Sequence, residues 1–129
     1  MRQTGTNPDM GAADCAVEEL QAVVGSELRS VISYHSDGFK RVFMRDDLGP
    51  DALEERFERW HDRLMISQLG ITDSEAAFDA NLEVTMYCLD IATIVHIPQS
   101  PHTGVVITME RGADIGLEAI RGICRDFMH

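Results

Sequence analysis

Five histidines, three cysteines and several adjacent carboxylate pairs are the side chains here that could do chemistry. His96 and His102 flank a proline-containing stretch, while His35, His61 and Cys88 lie elsewhere. A locally encoded zinc site needs two ligands a turn apart, as in Cys-x-x-Cys or His-x-x-x-His. No pair in this chain has that spacing, so no metal ligand is assigned. Cys88 and His96 could act as nucleophile and base only on one strand face, and the register derived below puts them on opposite faces. Ser36 and Ser67 lack the Gly-x-Ser-x-Gly elbow that exposes a nucleophilic serine. Asp46-Asp47, Glu54-Glu55 and Glu18-Glu19 are what the solvated surface of an acidic chain contains. Gly112, Gly116 and Gly122 follow neither phosphate-loop nor dinucleotide spacing. The sequence therefore assigns no catalytic residue, no metal and no cofactor. Cys15, Cys88 and Cys124 each fall at an apolar position of their segment and read as small buried hydrophobes. Their odd number argues against a disulfide framework.

Charge is the most informative global property. The 129 residues carry 22 acids against 11 bases, for a net charge of -11. Lys40 is the single lysine among those bases. Such a domain repels itself at low salt. In molar salt the screening length falls to about 3 Å and most of that repulsion vanishes. The acids run from Asp9 to Asp126 without clustering, which favours a salt-rich cytoplasm over a basic partner as the cause. The same charge opposes a nucleic-acid partner, which needs basic stripes. No apolar run approaches the roughly 18 residues of a membrane span. The N-terminus has no apolar signal region, so a cytoplasmic location is expected. The length implies one domain.

Hydropathy patterning places the elements. Residues 1–13 are polar, with Pro8, and read as a disordered tail before a single domain at 14–129. A first helix is expected from Asp14 to a stop at Gly25, with Ala16, Val17, Leu20, Val23 and Val24 on its apolar stripe. Asp37-Gly38 predicts a two-residue type I′ turn, pairing Ser36 with Phe39, Tyr34 with Arg41 and Ile32 with Phe43. Both faces of that hairpin carry large apolar side chains, so both should be covered. A second helix is expected over Asp51–Leu69, ending at Gly70, with Leu53, Phe57, Trp60 and Leu64 forming one seam. Thr72-Asp73-Ser74-Glu75 matches a capping box for a separate short turn. Residues 82–110 read as a three-strand meander. A turn at Leu89-Asp90 pairs Cys88 with Ile91 and Val84 with Val95, and sets Glu83 opposite His96. Leu82, Val84, Met86 and Cys88 then share a face, and Thr85, Tyr87, Ile94 and His96 share the other. Residues 98–104 are too proline-rich for a strand and read as a loop. A last helix should open at Asp114 and bury Ile115, Ala119, Ile120, Ile123, Cys124 and Phe127.

The order is α-β-β-α-β-β-β-α, an α+β arrangement with five antiparallel strands. It resembles the roadblock/longin group of profilin-like architectures over about residues 14–128. That resemblance implies terminal helices on one sheet face and the central helix on the other. Leu28-Arg29-Ser30-Val31 and Val42-Phe43-Met44-Arg45-Asp46-Asp47, with the acidic composition, also resemble a group of small haloarchaeal proteins. In roadblock-like proteins the central helix and adjoining edge strand form a dimer interface. The resemblance thus implies a homodimer through Asp51–Leu69 and Leu82–Leu89, with a further protein partner. The expected function is a non-enzymatic interaction or regulatory module of a salt-adapted cytoplasm, with no membrane contact. The alternative is a small-ligand sensor, which requires a cavity of a few hundred cubic ångströms beside Phe43, Trp60 and Tyr87. Phe57, Trp60, His61, Glu83, Tyr87 and His96 are the candidate interface or pocket residues.

Overall fold

The computed structural model describes residues 8–100 and 102–127, with side chains other than those of 8–15, 50–54, 62, 64–70, 73, 117, 124, 126 and 127. In chain order the elements are α1 (Pro8–Val24), β1 (Leu28–His35), β2 (Gly38–Met44), α2 (Pro50–Phe78), β3 (Thr85–Cys88), β4 (Ala92–Ser100), β5 (Thr103–Glu110) and α3 (Leu117–Phe127). The strands form one antiparallel sheet in the order β2-β1-β5-β4-β3. The most apolar strands sit in the middle, where both faces are covered. In β5, Val105, Ile107 and Met109 face one layer and Val106 the other.

The α1 and α3 side holds the larger core. Ala16, Leu20 and Val24, four residues apart, meet Leu28, Val31, Val95, Ile97, Val105, Ile107 and Met109, with Ile120 and Ile123 from α3. Each such buried aliphatic side chain contributes about 1.5–3 kcal/mol relative to exposure. The opposite face carries Ile32, Tyr34 and Val106 beneath Phe57 of α2, with Phe39, Trp60 and Ile94 around them. The expected layering is therefore present.

Several boundaries differ from the sequence reading, each for a local reason. α1 begins at Pro8 rather than Asp14, inside the segment read as a tail; residues 1–7 of that segment lie outside the described part. It stops at Gly25, whose φ of +60° is a conformation glycine adopts freely. Val23 faces solvent at 45 % exposure rather than joining the stripe. The first hairpin turns at Ser36-Asp37, pairing His35 with Gly38 and Tyr34 with Phe39. Among the described non-glycine residues only Asp79 has a positive φ, and of the glycines only Gly25, so this is not a type I′ turn. The Asp37 N–H instead donates to His35 Nδ1 at 3.2 Å, a local bond that competes with the expected geometry.

α2 runs through Gly70 to Phe78. An interior glycine costs only about 1 kcal/mol of helix propensity, too little to end a helix of this length. The end comes at Asp79, in the left-handed region at φ 52°, where the Ala80 N–H donates to the Glu75 carbonyl at 3.1 Å. The Glu75 carboxylate also accepts the Leu82 N–H at 2.7 Å, so this residue closes the helix rather than opening a new one.

In the meander, Cys88 pairs with Thr93 and Met86 with Val95, two residues from the expected register. A two-residue shift preserves every side chain's face. Thr85, not Glu83, therefore stands opposite His96. Pro98 belongs to β4, paired with Gly104 of β5. Because β3 pairs only with residues 93–96, β4 is an edge there, and proline removes no ladder bond on that side. α3 starts at Leu117, with the Ile120 N–H donating to the Gly116 carbonyl at 3.1 Å, so Asp114 is not its cap.

Candidate functional site

The second sheet face owes its shape to two bulges near one end of β1. Between Leu28 and Ser30 the pairing with β5 slips by one residue. Between Val31 and Ile32 the pairing with β2 slips as well. A bulge inserts an extra residue, bends the strand and re-aims side chains. Here Arg29 and Ser30, neighbours that a regular strand would point apart, both line the same groove beneath α2.

That groove has a volume of about 380 Å³. Its floor is Ile32, Ile94, Val106 and Thr108 of the sheet, and its wall is Phe57 and Trp60 of α2 with Tyr87 of β3. Leu48, Leu89 and Ile91 form its lip, and Arg56 joins Arg29 as the second cation. Ser30 is fully buried, and its Oγ and the Nε of Arg29 have no hydrogen-bond partner. An unpaired buried polar group costs roughly 1–3 kcal/mol.

An aromatic row holds α2 over this face. Phe39 meets Phe57 at 4.8 Å between centroids, Phe57 meets Trp60 at 6.0 Å, and Trp60 meets Tyr87 at 5.7 Å, all edge-to-face. Such pairs add about 0.5–1.5 kcal/mol each beyond burial. The row reaches from β2 to the edge strand β3 and fixes the distance between helix and sheet.

The hairpin end of the same face is closed and polar inside. The Tyr34 hydroxyl lies 2.6 Å from His96 Nε2. Burial pushes the His96 pKa down to about 4, and burial followed by the nearby Tyr87 pushes that of Tyr34 up to about 12. Near neutral pH the imidazole is uncharged and the phenol keeps its proton, so the two share a neutral hydrogen bond whose direction follows the imidazole tautomer. His61 Nε2 donates to the His35 carbonyl at 2.7 Å, and its ring stands edge-on to Tyr34 at 6.3 Å. Gly104 leaves room for Tyr34: a Cβ there would fall 2.5 Å from the Tyr34 hydroxyl and 2.8 Å from the Ile97 carbonyl.

At the other end, Arg45 ties three segments together. It donates to both oxygens of Asp47, to the Ser26 carbonyl at 2.9 Å and to Glu110 Oε1 at 2.6 Å. Hydrogen bonding from Arg45 holds the Asp47 carboxyl below its usual range, and bonds from Asp47 and Glu110 raise the guanidinium in turn. Arg29 Nη1 is 3.8 Å from the second Glu110 oxygen.

Of the residues singled out from sequence, Phe57, Trp60 and Tyr87 meet in the aromatic wall, and His61 and His96 flank Tyr34. Glu83 does not join them. It precedes β3 and lies 3.9 Å from Arg121 of α3, on the other side of the sheet. Phe43 packs with the α1–α3 core and does not line the groove. Cys88, expected to be buried, is exposed because β3 is the sheet edge, and Met86 beside it is partly exposed. Leu53, Leu64, Cys15, Cys124 and Phe127 have side chains outside those described. Arg29, Ser30 and Arg56 were missed. For Arg29 and Ser30 the one sequence signal was a charged residue and a serine opening an otherwise apolar strand, and Arg56 sits among the many charges of α2 with nothing to single it out. Among the described residues no three histidine, cysteine, aspartate or glutamate side chains group to hold a metal. Among them too, no helix is long and apolar enough to cross a membrane.

The chain is similar in structure to MglB of Myxococcus xanthus, at 7 % identity, covering 97 % of this chain and 91 % of that one with a TM-score of 0.58. It is also similar to the gliding protein mglB of Thermus thermophilus, at 12 % identity, 96 % and 91 % coverage and a TM-score of 0.60. A roadblock/LC7 domain from Streptomyces avermitilis matches at 15 % identity, 84 % and 87 % coverage and a TM-score of 0.53. These likenesses establish a roadblock/LC7-like fold. No curated protein matches the sequence. A family model described as a domain of unknown function, DUF7522, matches residues 14–129.

Proposed function

Since the chain belongs to the DUF7522 family, whose description leaves activity open, we propose that it is a non-enzymatic interaction or regulatory module that self-associates through α2 and β3. The observation that carries this reading is the unpaired edge of β3. That strand has four residues and one neighbour. Met86, Leu89 and Ile91 are exposed on and beside it, Ile91 at 64 %. An open strand edge bordered by apolar side chains is a template for pairing with another chain. α2 supports the same reading. Its 29 residues extend about 44 Å at 1.5 Å per residue, while an eight-residue strand covers about 26 Å. The helix therefore overhangs the sheet, and Phe78 at its end is 82 % exposed. A further protein partner would read the same surface. The acidic composition supports a salt-rich cytoplasmic setting of the haloarchaeal kind.

Light scattering in about 2 M potassium chloride should give twice the 14.4 kDa chain mass. Met86→Lys places a charge on the edge without touching the groove, and should return the monomer with an unchanged circular dichroism spectrum. A wild-type monomer at tens of micromolar would sink this reading.

A second reading, a small-ligand sensor, is favoured by one specific observation. The groove beneath α2 has the size expected of a ligand site, about 300–1,000 Å³, at 380 Å³.

A further inference from the structure

We propose that the groove beneath α2 takes a small organic monocarboxylate, with the carboxylate at the Arg29–Arg56 end and an apolar tail along the aromatic wall. This rests on the ligand-site reading above and adds the chemistry of the occupant.

The head assignment comes from what the bulge buries beside the groove. Regular pairing would send Arg29 away from Ser30, but the slip between Leu28 and Ser30 sets both against the groove. Ser30 is 0 % exposed with an Oγ that has no partner, and Arg29 Nε has none either. A hydroxyl and a guanidinium N–H left unanswered beside one cavity both call for an acceptor. The nearest carboxylate does not supply it. Glu110 gives one oxygen to Arg45 at 2.6 Å and keeps the other 3.8 Å from Arg29 Nη1. Arg45 is itself shared with Asp47 and the Ser26 carbonyl, which anchors Glu110 at that corner.

Charge sign points the same way. The chain has twice as many acids as bases, yet the groove is lined by two arginines and no acid. A cationic ligand would meet two guanidinium groups. A neutral ligand would leave Arg29 Nε unpaired. A carboxylate matches the planar donor fork of arginine and makes the stronger charge-assisted bonds. The rest of the lining is apolar or aromatic, including Trp60, Tyr87 and Ile94, and accepts an alkyl or aryl tail.

Trp60 is the chain's single tryptophan and lines the groove, so its fluorescence reports occupancy directly. Octanoate, 1-octanol and octylammonium share a tail and differ in head charge. Octanoate should change the Trp60 emission saturably, with 1-octanol at least tenfold weaker and octylammonium weaker still. Arg56→Gln, at an exposed helix position, should weaken octanoate threefold or more and leave 1-octanol unchanged. Ser30→Ala should raise the melting temperature of the empty protein, by removing an orphaned hydroxyl, and weaken octanoate. Equal binding of octanoate and 1-octanol would overturn the head assignment while leaving the groove a ligand site. An Arg56→Gln variant that binds octanoate like the wild type would also overturn it. No saturable change with any of the three would remove the ligand-site reading itself.

Discussion

At the scale of single residues, the Tyr34–His96 pair is the most consequential feature of the α2 face. A phenol and an imidazole 2.6 Å apart satisfy each other inside an apolar layer, which neither could do alone. The arrangement holds only while His96 is neutral. In the unfolded chain histidine titrates near 6.5, whereas burial lowers the folded value to about 4. Between those values the unfolded state binds more protons, so stability rises with pH across that window. The contribution is fully present above about pH 6.5 and is lost as pH falls toward 4. Its full size is on the order of 3 kcal/mol, at 1.36 kcal/mol per pKa unit. Denaturant titrations at several pH values should show that slope, and His96→Phe should flatten the curve relative to wild type. Carboxylate protonation affects both proteins alike, so the difference between them isolates His96. Parallel curves would mean that His96 titrates normally. At the alkaline end the sign reverses for Tyr34: its stabilisation is present below pH 10 and is lost as pH rises toward 12.

At the scale of elements, α2 and the bulged end of β1 decide what this face can do. The helix was legible in the sequence through Phe57, Trp60 and the proline at its start, all of which stand as expected. Its true end was not legible, because Gly70 and a capping-box pattern both suggested a stop. Local signals of about 1 kcal/mol are outweighed by continued backbone bonding. Asp79 ends the helix in a conformation that glycine adopts at lower cost. Asp79→Gly should therefore raise the melting temperature, by an amount on the order of 0.5–1 kcal/mol in stability. A fall in calorimetric melting temperature would show that the Asp79 side chain makes a compensating bond. The bulge at Arg29 had no sequence signature beyond a charged residue in an apolar strand. Register slips of this kind are set by how β1 meets β2 and β5 together, which no local pattern encodes.

At the scale of the whole molecule, the net charge of -11 on 129 residues sets the conditions under which the fold is stable. Exposed ion pairs such as that of Arg121 with Glu83 contribute little. On the proposed salt-adapted reading, screening relieves the self-repulsion. The melting temperature should rise steeply between about 0.1 M and 1 M potassium chloride, as the screening length falls from about 10 to 3 Å. A melting temperature that stays level over that range would contradict the salt-adapted reading. The proposed association through the β3 edge belongs to this scale too, since bringing two such acidic chains together is easier in the same salt.

By itself the sequence determined the layers: five strands with two-sided apolar patterning, flanked by amphipathic helices, leave few arrangements that bury both faces. It also placed Tyr87, Ile94 and His96 on the α2 face, because a two-residue register error preserves strand parity, whereas Glu83 and Phe43 fall on the other side. What only the tertiary structure decided was the groove. Its arginine, serine and aromatic lining residues come from strands and a helix far apart in the chain. An arginine next to a serine, and a second arginine on a charged helix, carry no spacing that chemistry demands. They acquire meaning when the bulge in β1 turns Arg29 and Ser30 together and the aromatic row from Phe39 to Tyr87 holds α2 above them. Local pattern specifies burial, which depends on each strand's own period; a site depends on the distances between elements.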